Sequence, residues 1–287
     1  MDQVSEPIPA QGDVAQGDAA QSDAAQRDAA QSDSALAADL AAGAGRLLVE
    51  LRASERRKGT ERKRLGTLGD RRSHEYLLAA LGRCRPGDAV LSEESVDNPS
   101  RRAARRVWIL DPLDGTREYS EGRPDWAVHV ALWEAGPDGG SLTAGAVALP
   151  AEDVVLATAA RPVPPRFGHP VRIAVSRTRA PSFAGALARE VGGELVPLGS
   201  AGYKAAAVVR GEVDAYVHAG GQYEWDSAAP VAVATRLGLH ASRIDGSPVT
   251  YNRADPYLPD LLLCRPELAG TLLTALRQLR VETGGLP

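Results

Sequence analysis

Residues 107–117 read Val-Trp-Ile-Leu-Asp-Pro-Leu-Asp-Gly-Thr-Arg, and no other stretch limits the fold as tightly. An apolar run of strand length ends abruptly in two carboxylates, Asp111 and Asp114. Pro112 stiffens the turn between them, Gly115 lets backbone approach a ligand closely, and Thr116 offers a hydroxyl. A strand that delivers two acids into a tight turn is a means of holding divalent metal ions. A second acidic pair, Glu93-Glu94, follows another apolar stretch, Ala89-Val90-Leu91. A third acidic element is Trp225-Asp226-Ser227-Ala228-Ala229. Acids at strand and helix ends, far apart in sequence, are expected to meet in one metal centre.

The bulk properties leave room for this and exclude other classes. The chain has 287 residues, 44% of them hydrophobic, enough for one large domain or two smaller ones with a real core. Its formal charge of −4 does not mark a nucleic-acid binder. No apolar run approaches the roughly 20 residues of a membrane span. The acidic N-terminus lacks an apolar signal core, so a cytoplasmic location is expected. Cys84 and Cys264 lack metal-type spacing and read as inert thiols.

Residues 1–33 are expected to form a disordered tail. Gln recurs at 11, 16, 21, 26 and 31 and Asp at 13, 18, 23, 28 and 33. A period of five matches neither helix nor strand and leaves no apolar stripe to bury. A solubilising tail and a partner-binding tail both fit that pattern. Order is expected from the N-cap pair Asp33-Ser34, with leucines at helical spacing through Leu51. The six basic residues between Arg56 and Arg64 read as a solvated loop or as a lid over an anionic substrate. A second helix is expected over 70–81. Strands are expected at 88–92, 106–110, 126–133, 143–149 and 153–158, forming a mostly antiparallel half. Pro162, Pro164 and Pro165 mark a break. Beyond it a strand at 171–176 leads into alternating helices (181–190, 201–209, 226–237, 267–279) and strands (213–218, 260–264). The expected architecture is an α/β (α+β) layered αβαβα sandwich of two subdomains, 34–165 and 166–287, with the site between them.

Glu93, Asp111, Asp114 and Asp226 supply hard oxygen ligands suited to magnesium, and the Leu113 carbonyl lies between two of them. So much negative charge is hard to hold together without cations. Thr116 could orient an attacking water with Asp70 as its acidic partner, although Asp70 also reads as a helix N-cap. Backbone N–H groups of the 115–116 turn, or of the helix after Asp226, could meet a phosphate. The five histidines show no ligand spacing and read as structural.

Three segments, Leu91-Ser-Glu-Glu-Ser95, Trp108-Ile-Leu-Asp-Pro-Leu-Asp-Gly-Thr116 and Trp225-Asp-Ser-Ala-Ala229, resemble the signatures of the inositol monophosphatase superfamily, in that family's order. The resemblance covers roughly residues 35–280. Within the superfamily the chain is similar to the CysQ-type 3′(2′),5′-bisphosphate nucleotidases. The similarity lies in Arg117-Glu-Tyr119, Asp125-Trp-Ala-Val-His129, Gly199-Ser-Ala-Gly-Tyr-Lys204, the stretch 218–226, and Tyr251-Asn-Arg-Ala-Asp-Pro-Tyr257. The resemblance implies magnesium-dependent removal of the 3′-phosphate of 3′-phosphoadenosine 5′-phosphate (PAP), with possible action on its sulfated form, in sulfate assimilation. It also implies lithium inhibition, a homodimer and two or three magnesium ions. Carried over, Glu93, Asp111, Asp114, Asp226 and the Leu113 carbonyl become metal ligands, with Thr116, Asp70 and Glu93 as the catalytic set. Gly115, Thr116, Arg117, Ser200, Lys204 and Asp226 fall at substrate positions. Two departures stand out: Leu237-Gly238-Leu239 where the family has small residues, and Thr67-Leu68-Gly69-Asp70 in place of Thr-X-X-Asp wording.

Inositol phosphate and fructose 1,6-bisphosphate are alternative substrates with the same metal motifs. Aspartyl-phosphate phosphatases also display Asp-Gly-Thr, but their two aspartates stand two apart and the first is a nucleophile; here the spacing is three. A nucleotide-binding sensor would not need every one of these acids.

Overall fold

Leu36, Ala37, Leu40, Ala41, Ala44 and Leu48 recur at helical spacing and are all buried. They form the inner face of the first helix of the computed structural model, α1 (Asp33–Arg57). The structure describes residues 31–137, 139–159 and 170–282. Most of the expected tail and the Pro162–Pro165 break therefore lie outside the described residues. Ser32 rather than the Asp33-Ser34 pair caps α1, its hydroxyl accepting from the Ala35 N–H. Asp33 is the first helical residue, and its carboxylate accepts from Arg85 and Arg106 at 3.0 and 2.9 Å.

The second helix is longer than its apolar pattern suggests. α2 runs Arg62–Cys84, so the basic loop shrinks to four residues, Lys58–Glu61. Arg and Lys are good helix formers, and both helices extend into the basic run from either side. Glu55 closes the corner by accepting from Lys58 Nζ and the Thr60 hydroxyl. Asp70 thus stands inside α2, not at its N-cap.

The strands fall on the apolar runs of the sequence. They are β1 (Ala89–Ser92), β2 (Arg106–Asp114), β3 (Ala127–Glu134), β4 (Ser141–Leu149) and β5 (Val154–Ala157), with a short helix α3 (Thr116–Glu121) after β2. Both β2 and β3 are buried on both faces. Among the described residues these form a sheet in sequence order, with β1 and β2 parallel and the rest antiparallel. The second half contributes β6 (Val171–Ser176), α4 (Ala184–Glu190), β7 (Gly193–Leu198), α5 (Ala201–Val209), β8 (Ala215–Tyr223), α6 (Glu224–Arg236), β9 (His240–Ser242), β10 (Tyr257–Cys264) and α7 (Pro266–Glu282). Its strands form a mixed sheet in the order β7-β6-β8-β10-β9.

Three apolar clusters define five layers. One lies between α1/α2 and the first sheet, with Leu48, Leu77, Trp108 and Leu132. A second fills the space between the sheets, where α5 and α6 lie. The third joins the second sheet to α4 and α7 through Ile173, Leu187, Leu262 and Leu276. The fold is the expected αβαβα sandwich. Being covered on both sides, α6 is apolar nearly all round, with Ala228 to Ala234 buried. Gly145 on β4 leaves room for it, since a Cβ there would press on Ala232. Among the described residues no helix is long and apolar enough to cross a membrane.

Candidate metal centre and substrate cavity

The β2 strand carries its acids to the seam between the sheets. Asp111 lies opposite His129 and Asp114 opposite Ala127, so three residues on β2 match two on β3. This bulge contains Pro112, which has no N–H to give the ladder and whose carbonyl accepts from the Ser73 hydroxyl at 2.6 Å. The extra residue allows Asp111 and Asp114 to address one space. Gly115 then turns the chain at φ 91°, the left-handed region that glycine enters without strain. A Cβ there would also press on Ser200.

Asp226 arrives from the first turn of α6, where its carboxylate accepts the Tyr223 N–H at 2.8 Å. Carboxylate oxygens of Asp111, Asp114 and Asp226 lie within 4.8 Å of one another. Glu93, just past β1, donates its backbone N–H to the Leu110 carbonyl and lines the same cavity. Among the described residues the cavity holds about 510 Å³ and brings together Glu93, Asp111, Leu113, Asp114, Gly115, Thr116, Arg117, Ser200, Lys204 and Asp226. Of the expected site residues, only Asp70 is not in its wall.

Desolvation dominates the electrostatics of the four acids. Although Glu93 presents surface to solvent, the surrounding protein and then the Asp226 charge push its carboxyl up to about 8. Burial and the neighbouring Glu93 and Asp114 raise Asp111 well above the usual carboxylate range. Burial and Asp114 push Asp226 up to about 6. Asp114 is the exception. Burial opposes its charge, but His129, Lys204 and the Gly202 N–H hold it below the ordinary value. His129 Nε2 lies 3.2 Å from its Oδ2, and the Ala201 and Gly202 N–H groups at the start of α5 donate to it at 3.2 and 2.5 Å. Clustered hard oxygens that resist ionising together fit a divalent cation, which relieves that repulsion.

Beside this cluster Thr116 Oγ1 donates to Asp70 Oδ1 at 2.9 Å and lies 3.3 Å from the Leu113 carbonyl. Burial, against the Thr116 hydrogen bond, pushes Asp70 up to about 7. Gly66 permits the approach, because a Cβ there would crowd Thr116. Ser200 caps α5 through its hydroxyl. Lys204 is buried, donates to the Gly199 and Ser200 carbonyls at 2.5 and 2.7 Å, and is lowered to about 8 by desolvation. Arg117 borders the cavity but pairs with Glu121 at 3.1 Å on the exposed side of α3.

Several residues of this region are not visible in the motifs. His129 reads as structural from spacing alone, yet it touches a carboxylate of the centre. Its opposition to Asp111 across the β2–β3 pair is the available signal, and it needs the register to be known. Gly202 is required because a Cβ would collide with His129 and press on Asp114. Ser176, Thr178, Arg179, Glu118, His218 and Gln222 also line the wall.

The model of the inositol monophosphatase family matches residues 30–280. The chain belongs to this family. A curated relative, the 3′-phosphoadenosine 5′-phosphate phosphatase of Mycobacterium leprae, is 51% identical over 257 residues, covering 85% of this chain and 93% of its own. The 3′(2′),5′-bisphosphate nucleotidase CysQ of Escherichia coli is 27% identical over 206 residues, covering 67% of this chain and 81% of its own. Among solved structures, CysQ of Bacteroides thetaiotaomicron superposes with a TM-score of 0.69 at 22% identity, over 82% of this chain and 98% of its own. That likeness shows the inositol monophosphatase family fold.

Proposed function

We propose that the protein is a magnesium-dependent 3′(2′),5′-bisphosphate nucleotidase that hydrolyses PAP to AMP and phosphate. The reading rests on one observation above others: Asp111 and Asp114 from one segment and Asp226 from a distant one converge within 4.8 Å beside a Thr116–Asp70 hydrogen bond. The half-identical mycobacterial relative named for PAP supports the substrate. Glu93, Asp111, Asp114, Asp226 and the Leu113 carbonyl would hold two or three magnesium ions. Bound there, magnesium supplies Lewis-acid stabilisation of charge developing on the phosphoryl oxygens.

The chain's own groups do the rest. Thr116 gives its proton toward Asp70, which leaves oxygen lone pairs free to accept a proton from the attacking water. Asp70 is poised near neutrality and takes the displaced proton. Water oxygen bonds to phosphorus, the bond to the ribose 3′-oxygen breaks, and that oxygen leaves as a hydroxyl after protonation from solvent. Lys204 and Arg179, both in the cavity wall, supply positive charge for a second phosphate. Action on the sulfated nucleotide, lithium inhibition, a cytoplasmic location, a place in sulfate assimilation and a homodimer belong to the same reading through the family resemblance.

Turnover of PAP, inositol 1-phosphate and fructose 1,6-bisphosphate under equal magnesium tests the substrate. PAP is expected to lead by at least tenfold in kcat/KM; equal rates would remove the nucleotidase assignment and leave the family.

A further inference from the structure

One face of α2 is built unlike the inner face of α1. Gly66, Gly69, Asp70 and Ser73 stand at i, i+3, i+4 and i+7, the spacing of a single helical face. In an amphipathic helix that stripe carries large apolar side chains; here it carries two glycines, an acid and a hydroxyl. The glycines set the distance of approach. A Cβ on Gly66 would press on the Thr116 methyl at 2.8 Å, and one on Gly69 would press on Leu113 and Tyr119 at 2.9 Å. The helix therefore lies directly against the turn that joins the two β2 acids to Thr116.

This approach lets three side chains of α2 reach three points of the acid-bearing backbone. Asp70 accepts from Thr116. Ser73, fully buried, donates to the carbonyl of Pro112, between Asp111 and Asp114, at 2.6 Å. His74 Nδ1 lies 3.1 Å from Ser92 Oγ, and Ser92 is buried immediately before Glu93. Side chains alternate along a strand, so a Ser92 side chain turned to α2 goes with a Glu93 side chain turned to the cavity. Among the described residues, neither Ser73 nor His74 lines the cavity. Both touch the backbone segments that carry its acids.

We propose that Ser73 and His74 are positioning residues that set the metal affinity of the centre. Ser73 fixes the turn between Asp111 and Asp114 through the Pro112 carbonyl, and His74 fixes the Glu93 end of β1 through Ser92. This rests on the metal-centre reading above. Carboxylates that repel one another spread unless their backbone is held, and a magnesium ion demands short, fixed oxygen distances. Groups hydrogen-bonded behind a metal's ligands change affinity or activity by about 10–100-fold when removed.

Titration calorimetry of magnesium into the protein alone tests this without turnover. Ser73→Ala and His74→Leu are each expected to weaken binding by about tenfold. The same shift is expected in the magnesium needed for half-maximal hydrolysis of PAP, with KM for PAP at saturating magnesium within about twofold of wild type. His74→Asn places an amide near the Nδ1 position and is expected to hold affinity within about threefold of wild type. Leu81→Ala, buried two turns further along α2, separates positioning from mere support of the helix. It is expected to lower the melting temperature and to leave magnesium affinity within about twofold. Ser73→Ala and His74→Leu proteins that bind magnesium like wild type, or that lose no more affinity than Leu81→Ala at an equal fall in melting temperature, would overturn the proposal. His74→Asn binding as weakly as His74→Leu would overturn the part assigned to His74. A wild type that binds no magnesium would remove the metal-centre reading and the proposal with it.

Discussion

Asp70 and Thr116 are 46 residues apart and meet at 2.9 Å. If Asp70 takes the proton of the attacking water, Asp70→Asn lowers kcat by about 100-fold or more with KM nearly unchanged. The sign of the pH effect follows. A base pushed up to about 7 is protonated below that pH, so kcat falls as pH drops through 7 and this limb vanishes in the variant. A pH–rate profile of both proteins checks it. At Gly202 the constraint is space, because a methyl group would enter the His129–Asp114 contact. Gly202→Ala is expected to destabilise by roughly 2 kcal/mol and to reduce activity, measured by urea melts beside turnover. The acids of this centre were legible one by one because each ends an apolar run. Their partners were not. His129 and Gly202 owe their roles to a strand register and a helix approach that no local pattern encodes. Asp70 carried a competing N-cap reading because the first two turns of its helix are dominated by Arg, Lys and Gly, with Leu65 and Leu68 alone as an apolar signal.

At the scale of elements, long amphipathic runs announced themselves, and short or edge elements did not. α1 stood out by its helical period, and the central strands β2, β3 and β4 by their apolar runs. β7 did not, since Gly193 and Pro197 break its alternation, nor did the three-residue β9 or the six-residue α3. Two polar clamps then lock elements together. Arg101, fully buried, donates to Asp97, to Asn252 and to the Arg253 carbonyl. Asn252 and Arg253 in turn give their N–H groups to Glu224, two residues before Asp226. Arg101 therefore ties the loop after Glu93 to the start of α6. Arg101→Ala is expected to cost about 3 kcal/mol in denaturant unfolding and to weaken magnesium activation together with it. The second clamp is Asp33 between Arg85 and Arg106. Burial opposes its charge, but the two guanidiniums hold it below the ordinary value. A depressed carboxyl stabilises the fold above its unfolded pKa and loses that contribution as pH falls through the folded value. Asp33→Asn is expected to cost about 1 kcal/mol at pH 7. Urea melts at several pH values should show the difference shrinking below the unfolded pKa of about 3.9.

The whole molecule divides its labour by layer. The first sheet and the α5–α6 layer beneath it deliver the acids, and the second sheet closes the cavity with β8 and the 176–179 segment. The acids meet only because α6 is packed against β2, β3 and β4, so the acidic cluster and the inter-sheet core are one structure. The alternation of strands and helices after residue 171 made the layering legible. The order of the second sheet was not, because β7, an edge strand with weak pattern, and the crossovers around it are set by long-range pairing. The most direct test of the assembled centre is phosphate release from PAP as a function of magnesium, in wild type and in Asp111→Asn. Activity is expected to be absent without the metal, to saturate with it, and to be lost in the variant at wild-type saturating magnesium. Full activity of the metal-stripped wild type, or of Asp111→Asn at the same magnesium concentration, would contradict a catalytic metal centre built from these acids.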